Sequence, residues 1–527
     1  MTSALSFPTE RTAPPKDLEV RPKQVRVWIQ GLQLAQCIDA TKKVSMHLAA
    51  INRARLDLDD RLQILDAYRP VAATLLDELD AIYGKASIPL GARPREALLL
   101  ARDLATQMSV GYRIAIAESS AKLISFGAKK QLPTFVLRAM QYLAAMLRAS
   151  YKSYTPVPQG VWRELHQLYL LADRERIVAE IADPDTKDAV ITVYCECLLL
   201  SLTDPYRLVP GEADKVIAQI RSSRAPVTLG QQRPQTRAGG HFIVPCDTDK
   251  PPKPALSASD DNGGPNWRLL DANALVDRIR MRQQAMETGN VSATTSKLVG
   301  PDGLALMAKL MVLWGDPPKR AYRRNPAEGT VAVCVGIKAV THFVSLSADL
   351  ESEARKEAFR KGITMPLPTL RMDDATQEIP VFEYEVVNES EGGLKVRRMS
   401  STPQAIGVGE VAGIKMPGKP GWVIAVVRWI TLYDEGGMEY GVQFLSTAAR
   451  TVSVQPTITS SSTQARLGLL LTDPEDPSAG ETLLTPINTF SDLREFELEE
   501  EGKVSCVRAH HLIEKTGRFE LFHVSPS

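Results

Sequence analysis

Histidine, cysteine and aromatic residues are sparse in this 527-residue chain, with seven His, six Cys and 6% Phe, Trp and Tyr. The cysteines (37, 195, 197, 246, 334 and 506) are scattered; Cys195 and Cys197 lie one residue apart rather than as CxxC, and no second pair answers them. That excludes a disulfide framework and a cysteine metal site, and it predicts a reducing, cytoplasmic setting. His510 and His511 lack further partners at metal-ligand spacing. Long apolar runs are missing too. The longest, Ala189 to Leu202, is interrupted by Glu196 and is too short to span a bilayer, so no membrane insertion is expected. Residues 1–24 are polar, carry Pro8, Pro14, Pro15 and Pro22, and contain no apolar core of the kind an export signal needs; they predict a disordered segment. Neither sign of charge is in excess. The 63 basic against 62 acidic residues leave +1, which argues against a nucleic-acid-coating protein.

What is present is a soluble composition, 44% hydrophobic and 24% charged, at a length that predicts roughly two to four domains. The fold class reads as multidomain α plus β. From 25 to 222 the apolar period is helical, in windows such as Leu62–Tyr83, Arg95–Phe126, Thr134–Tyr151 and Val161–Ile181. Breakers including Pro89, Pro133, Pro156, Pro184 and Pro205 separate them, predicting six or seven helices joined by short loops. No fixed-period repeat is evident. The region is expected to be a helical scaffold that docks a protein partner, with His47 and His166 structural. Residues 223–265, rich in Pro, Gly, Ser and Gln, predict a linker with local β structure around His241–Pro245; residues 266–316 predict a helical connector ending at Pro317-Pro318.

Beyond Pro318 the period becomes alternating. Val331–Val335, Val381–Val387, Leu394–Arg397, Gly409–Ile414, Trp422–Ile430 and Met438–Phe444 read as short strands, which suggests a small closed barrel over 317–450 with an insertion near 347–371. Residues 451–527 read as a further small β-rich module carrying the acidic run Glu495–Glu501.

Two stretches carry chemistry. Arg320 and Arg324 stand four apart just before the first strand; Asn388, Ser390 and Gly393 fall between two others. Arginine binds phosphate through a bidentate fork and stacks on purines. Asn offers a donor and an acceptor together, Ser a hydroxyl, and Gly a backbone that lets a ligand lie close. None of these is a nucleophile beside a base, so the set binds rather than catalyses, and no enzyme is expected. The same RxxxR spacing at Arg278 and Arg282 falls within helical periodicity and reads as a solvated helix face. At Asn388–Gly393 the plain alternative is an ordinary β-turn.

Residues 317–450 resemble a PilZ domain, the bacterial receptor module for cyclic di-GMP. The resemblance rests on Arg320-Ala-Tyr-Arg-Arg324 as RxxxR and Asn388-Glu-Ser-Glu-Gly-Gly393 as [D/N]xSxxG. Trp422–Ile430 and Tyr440-Gly-Val-Gln-Phe444 are similar to the family's closing strands. It implies a six-stranded antiparallel barrel in which Arg320 and Arg324 clamp phosphate and guanine, while Asn388, Ser390 and Gly393 line the receiving face. One departure is the separation of 64 positions from Arg324 to Asn388 (388 − 324), where the family usually has a few tens at most. The expected function is a cyclic di-GMP effector that turns binding into a change of domain arrangement or partner. The alternative is a non-enzymatic interaction scaffold whose degenerate barrel no longer binds nucleotide; retention of all five motif residues favours the first.

Overall fold

Apolar residues at three- and four-residue spacing build the first two-thirds of the chain into helices around one core. The computed structural model describes residues 5–121, 126–223, 227–232, 239–255, 264–288, 293–318, 322–348, 379–398, 404–419, 421–433, 436–458, 465–472, 480–500 and 502–527. Two units emerge: Met1–Ala86 with Leu90–Lys319, and Ser87–Pro89 with Arg320–Ser527.

In the first unit run α1 (Pro22–Gln30), α2 (Cys37–Arg53), α3 (Leu58–Tyr83), α4 (Ala92–Ala121), α5 (Phe126–Lys152), α6 (Val161–Arg174), α7 (Val190–Ser201) and α8 (Glu212–Ser223). A short ribbon, β1 (Ile181–Asp183) with β2 (Asp188–Ala189), precedes α7. One expected breaker is not a breaker: Pro133 lies inside α5, and α3 likewise runs through Pro70. A mid-helix proline forfeits one backbone bond, and the buried face that each helix contributes to the common core outweighs it. His166 is buried and structural, bonded through Nδ1 to the Tyr194 hydroxyl and through Nε2 to the Lys250 carbonyl; burial lowers its pKa to about 4.

Three expectations for this unit change. Residues 5–24 are ordered rather than disordered: Leu5 is buried, the Ser6 amide donates to Glu164 Oε1 (2.9 Å), Arg11 pairs with Glu118, and Pro22 starts α1. The expected linker does carry the strand foreseen around His241–Pro245, as β4 (His241–Val244), but inside a four-stranded antiparallel sheet with β3 (Thr228–Gly230), β5 (Lys253–Pro254) and, from beyond 265, β6 (Arg268–Asp271), in the order β3-β6-β4-β5. Its Phe242, Val244 and Cys246 join the helical core, so one short apolar run overrides a linker-like composition. The expected connector, α9 (Asn273–Glu287) and α10 (Ala293–Gly315), belongs to the same core, where buried Trp314 donates Nε1–H to the Leu199 carbonyl (3.0 Å). Arg278 and Arg282 are not simply solvated; they donate to the Ser223 carbonyl (2.7 Å) and Ser222 Oγ (2.9 Å) at the end of α8, where cations suit the carbonyl pole.

The second unit is two barrels. β7 (Asn325–Pro326) leads into β8 (Thr330–Val335), β9 (Phe382–Ser390), β10 (Gly393–Arg398), β11 (Val411–Lys415), β12 (Val423–Leu432) and β13 (Met438–Ser446). The antiparallel ring β8-β11-β12-β13-β10-β9 closes through β8–β9 pairing, and β7 is added beside β9. This is the six-stranded barrel expected from the sequence. The module after it is also a closed six-stranded barrel: β14 (Ala448–Pro456), β15 (Arg466–Thr472), β16 (Glu481–Pro486), β17 (Glu495–Glu500), β18 (Lys503–Lys515) and β19 (Phe519–Pro526). The boundary expected at 450 therefore falls inside β14; the barrels meet at Thr447, between β13 and β14. Most of the expected insertion at 347–371 lies outside the described residues. It departs from a helix over 337–348.

The two barrels share a core. Ala339, Val340, Phe343 and Val344, at helical spacing, face Trp422, Ile424 and Val426 of the first barrel and Leu469, Leu471, Leu484, Phe519 and Leu521 of the second. Phe343 stacks on Trp422 with ring centres 5.1 Å apart. In β15 the alternation turns Leu470 into the second barrel's own core and its neighbours Leu469 and Leu471 outward into the shared one. Polar contacts reinforce the seam: a bidentate Arg428–Glu514 pair, Arg518 with Glu410 (3.0 Å), and Thr516 Oγ donating to the Gly409 carbonyl (3.1 Å).

Candidate functional site

β7 brings the two halves of the motif together. Asn325 stands opposite Glu389 and Pro326 opposite Asn388. The chain at Arg324 is therefore anchored within two residues of the strand position that carries Asn388. The proline, which cannot donate to a ladder, sits on the added edge strand where none is required. Tyr322 lies over the β9–β10 turn, so close to Gly392 that a Cβ there would fall 2.7 Å from its ring. Arg323 and Arg324 are exposed, and neither forms an ion pair among the described residues. Arg320 lies outside the described residues.

On β9 and β10, Asn388 faces Lys395, and Ser390 faces Gly393 across the turn at 391–392. Ser390 Oγ donates to the Gly393 carbonyl (3.2 Å), which holds the turn but leaves the hydroxyl's lone pairs available. Gly393 is buried. A Cβ there would lie 2.0 Å from the Val442 carbonyl oxygen, so the close approach of β13 by itself demands glycine. Gly393→Ala should push β10 off β13, at a cost of about 2–4 kcal/mol from a contact that backbone cannot relieve. The check is the urea midpoint of the full chain, expected to fall for the transition that includes the first barrel.

Register adds residues that sequence reasoning missed. Asn388, Lys395, Gly441 and Trp429 form one row across β9, β10, β13 and β12. A Cβ on Gly441 would sit 2.0 Å from Trp429 Nε1; glycine there lets the half-buried indole lie flat across the strand. Lys395 Nζ stands 5.9 Å from the indole centre and 2.6 Å from Glu439, which also takes Arg397 (2.6 Å). Burial raises the pKa of Glu439, but hydrogen bonds from Lys395, Tyr433 and Arg397 outweigh it and hold the carboxylate below its usual range. Lys395 is thereby neutralised locally, whereas Arg323 and Arg324 have no ion-pair partner among the described residues. The next row places Gln443 opposite Gly393, and Gln443 Oε1 accepts from Arg428 Nε (2.8 Å), the same arginine that clasps Glu514. The signal for Trp429 was the Trp/Gly pair on consecutive strands, but only the register shows that they meet.

The described surface thus offers a side-chain amide, a hydroxyl and a flat aromatic across neighbouring strands, with the exposed Arg323 and Arg324 just before β7. That set suits a ligand with phosphate and a hydrogen-bonding planar base.

Two family profiles match the chain. "Cyclic-di-GMP receptor FimW, N-terminal domain" matches residues 23–233. "Cyclic-di-GMP receptor FimW, middle PilZ domain" matches 241–361 and 351–451. A curated relative named cyclic-di-GMP receptor FimW, from Pseudomonas aeruginosa, is 24% identical over 96% of this chain and 90% of its own length.

Proposed function

Because its N-terminal and middle portions both match the domains of one receptor family, the chain belongs to the PilZ-domain cyclic di-GMP receptors, and we infer that it is an effector that binds this dinucleotide on its first barrel. In this reading Arg324, with Arg320 four residues upstream, grips phosphate oxygens through guanidinium forks and presents a planar face to guanine. Asn388 meets the guanine edge with donor and acceptor together, and Ser390 adds a hydroxyl. Gly393 keeps the β10–β13 seam tight beneath them. Trp429 extends the surface with a stacking face, a contact worth about 1–3 kcal/mol per base where it forms.

The observation that supports this reading is the pairing of Pro326, two residues after Arg324, with Asn388. A ligand that contacts both will favour states in which Arg320–Arg324 is drawn onto the barrel, and the shift in population is the signal passed to a partner. Binding, not turnover, is the activity. A cytoplasmic site of action suits six cysteines that are all free thiols.

Calorimetric titration of cyclic di-GMP into the full chain tests this. Saturable heat is expected, with none from GMP or cyclic AMP at the same concentration. Absence of heat from well-folded protein would overturn the assignment in favour of a scaffold with a silent barrel.

A further inference from the structure

A second recognition surface lies on the helical unit, between α1 and α2. Their exposed sides enclose a depression of about 630 Å³, whose lining includes Leu18, Val27, Trp28, Leu32, Met46 and His47. Two of its apolar side chains stand out in solvent, Val27 at 61% and Met46 at 74% exposure. Exposed apolar groups gathered around a concavity mark an interaction site, unlike the same residues scattered singly.

The floor is built in advance. Trp28 stacks on His47 with ring centres 4.9 Å apart and planes 21° from parallel, and His47 Nδ1 is bonded to the buried Tyr68 hydroxyl (2.7 Å). Burial lowers the pKa of His47, so the floor carries no charge at neutral pH. A rigid floor spares a partner the cost of ordering it, while Met46 on the lip can adapt to the side chain that enters.

The rim is basic. Lys43 lines the depression, Lys23 lies one turn before Val27 on α1, and Arg53 lies two turns beyond Met46 on α2. All three are exposed, and none has an ion-pair partner among the described residues. Against them stand Asp39, one turn before Lys43, and exposed Asp17, next to the lining residue Leu18; Glu19 is already held by Arg21 (2.7 and 2.9 Å).

We propose that the α1–α2 groove, apolar in its floor, lined by Lys43 and flanked farther along α1 and α2 by Lys23 and Arg53, docks an acidic amphipathic helix of a protein partner. Residues spaced i and i+4 on both walls (Val27 and Gly31, Met46 and Ala50) leave a furrow that accepts one row of apolar side chains from a third helix. Glutamates flanking that row meet the uncompensated cations. A membrane is a poorer occupant because only Val27 and Met46 protrude, while Leu18, Trp28, Leu32 and His47 lie half-buried between them. A second copy is poorer too, because a self-complementary contact would set the basic rims against each other.

The test uses the full chain and a fluorescein-labelled, amidated 16-residue helical peptide with Leu at i, i+4, i+7 and i+11 and Glu on both flanks. Anisotropy at physiological salt should show the Glu peptide binding at least tenfold tighter than its Lys-flanked counterpart. Met46→Glu and Lys43→Glu should each weaken it by fivefold or more. Both positions are exposed, and unchanged circular dichroism of the variants confirms their folding. Equal binding of the two peptides, indifference to both substitutions, competition by anionic phosphatidylglycerol vesicles, or a dimer in sedimentation that Met46→Glu dissolves would each overturn the proposal.

Discussion

Arg324→Ala will lower the affinity for cyclic di-GMP by about two orders of magnitude while leaving the protein folded. The side chain is exposed and unpaired among the described residues, so its removal takes no internal contact with it. A charge-assisted, bidentate phosphate contact contributes about 3 kcal/mol when formed, roughly a hundredfold in dissociation constant. The double variant with Arg320→Ala should show no heat in calorimetry at any practical concentration. Arg324→Lys keeps the charge but loses the fork and the stacking plane, and should recover only part of the loss. Asn388→Ala serves as a control from the other half of the site, since it removes no charge; a comparable loss from it supports one ligand spanning both. Full affinity in Arg324→Ala would move the site off this face altogether.

Ending the chain after Ser446, so that the second barrel is deleted, should abolish cooperative folding of the first. The deletion strips Leu469, Leu471, Leu484, Phe519 and Leu521 from the shared core and leaves Val340, Phe343, Trp422 and Ile424 facing water. Each such side chain contributes about 1.5–3 kcal/mol by burial, so the loss, on the order of 5–10 kcal/mol, equals the stability of an ordinary domain. The expected result is a loss of dispersed methyl signals in proton spectra of the truncated protein. Phe519→Ala, in the full chain, is the milder form, at about 3–5 kcal/mol. A truncated chain that melts sharply and binds nucleotide would disprove the dependence.

The sequence carried the first barrel well because its strands alternate, turn residues separate them, and the motif positions fall at their ends. It carried the second barrel less well. β14 begins one residue after β13 ends, with no turn signal to split them, and β18 runs through irregularities between Ala509, Leu512 and Glu514 that break the alternation. The shared core did leave a trace: Leu469-Leu470-Leu471 is apolar at every residue, as a strand buried on both faces must be. In the helical unit, composition misled at 223–265, where four apolar residues in a polar stretch decide the placement. Pro8, Pro14 and Pro15 likewise suggested disorder in a segment held by long-range bonds such as Ser6 to Glu164, which no local pattern announces. Of the proposed site, Asn388, Ser390 and Arg324 come from the two motif spacings taken together with the family resemblance. The Trp429–Gly441 contact and the reason for Gly393 do not, because both depend on which residues face each other across strands.

The separation of 64 positions from Arg324 to Asn388 takes on a different meaning once β7 and β9 are paired. The intervening chain leaves after β8 and returns at Ile379, and Phe382, the first residue of β9, pairs with Val333. From there to Asn388 is six residues of strand, about 20 Å. The extra sequence is thus attached at the far end of β9 from the motif, and its length is decoupled from the geometry of the site. Insertions there can grow or shrink among relatives without moving an arginine relative to an asparagine. A search for such receptors that fixes the spacing between the two halves of the motif will therefore pass over proteins whose halves are neighbours in space.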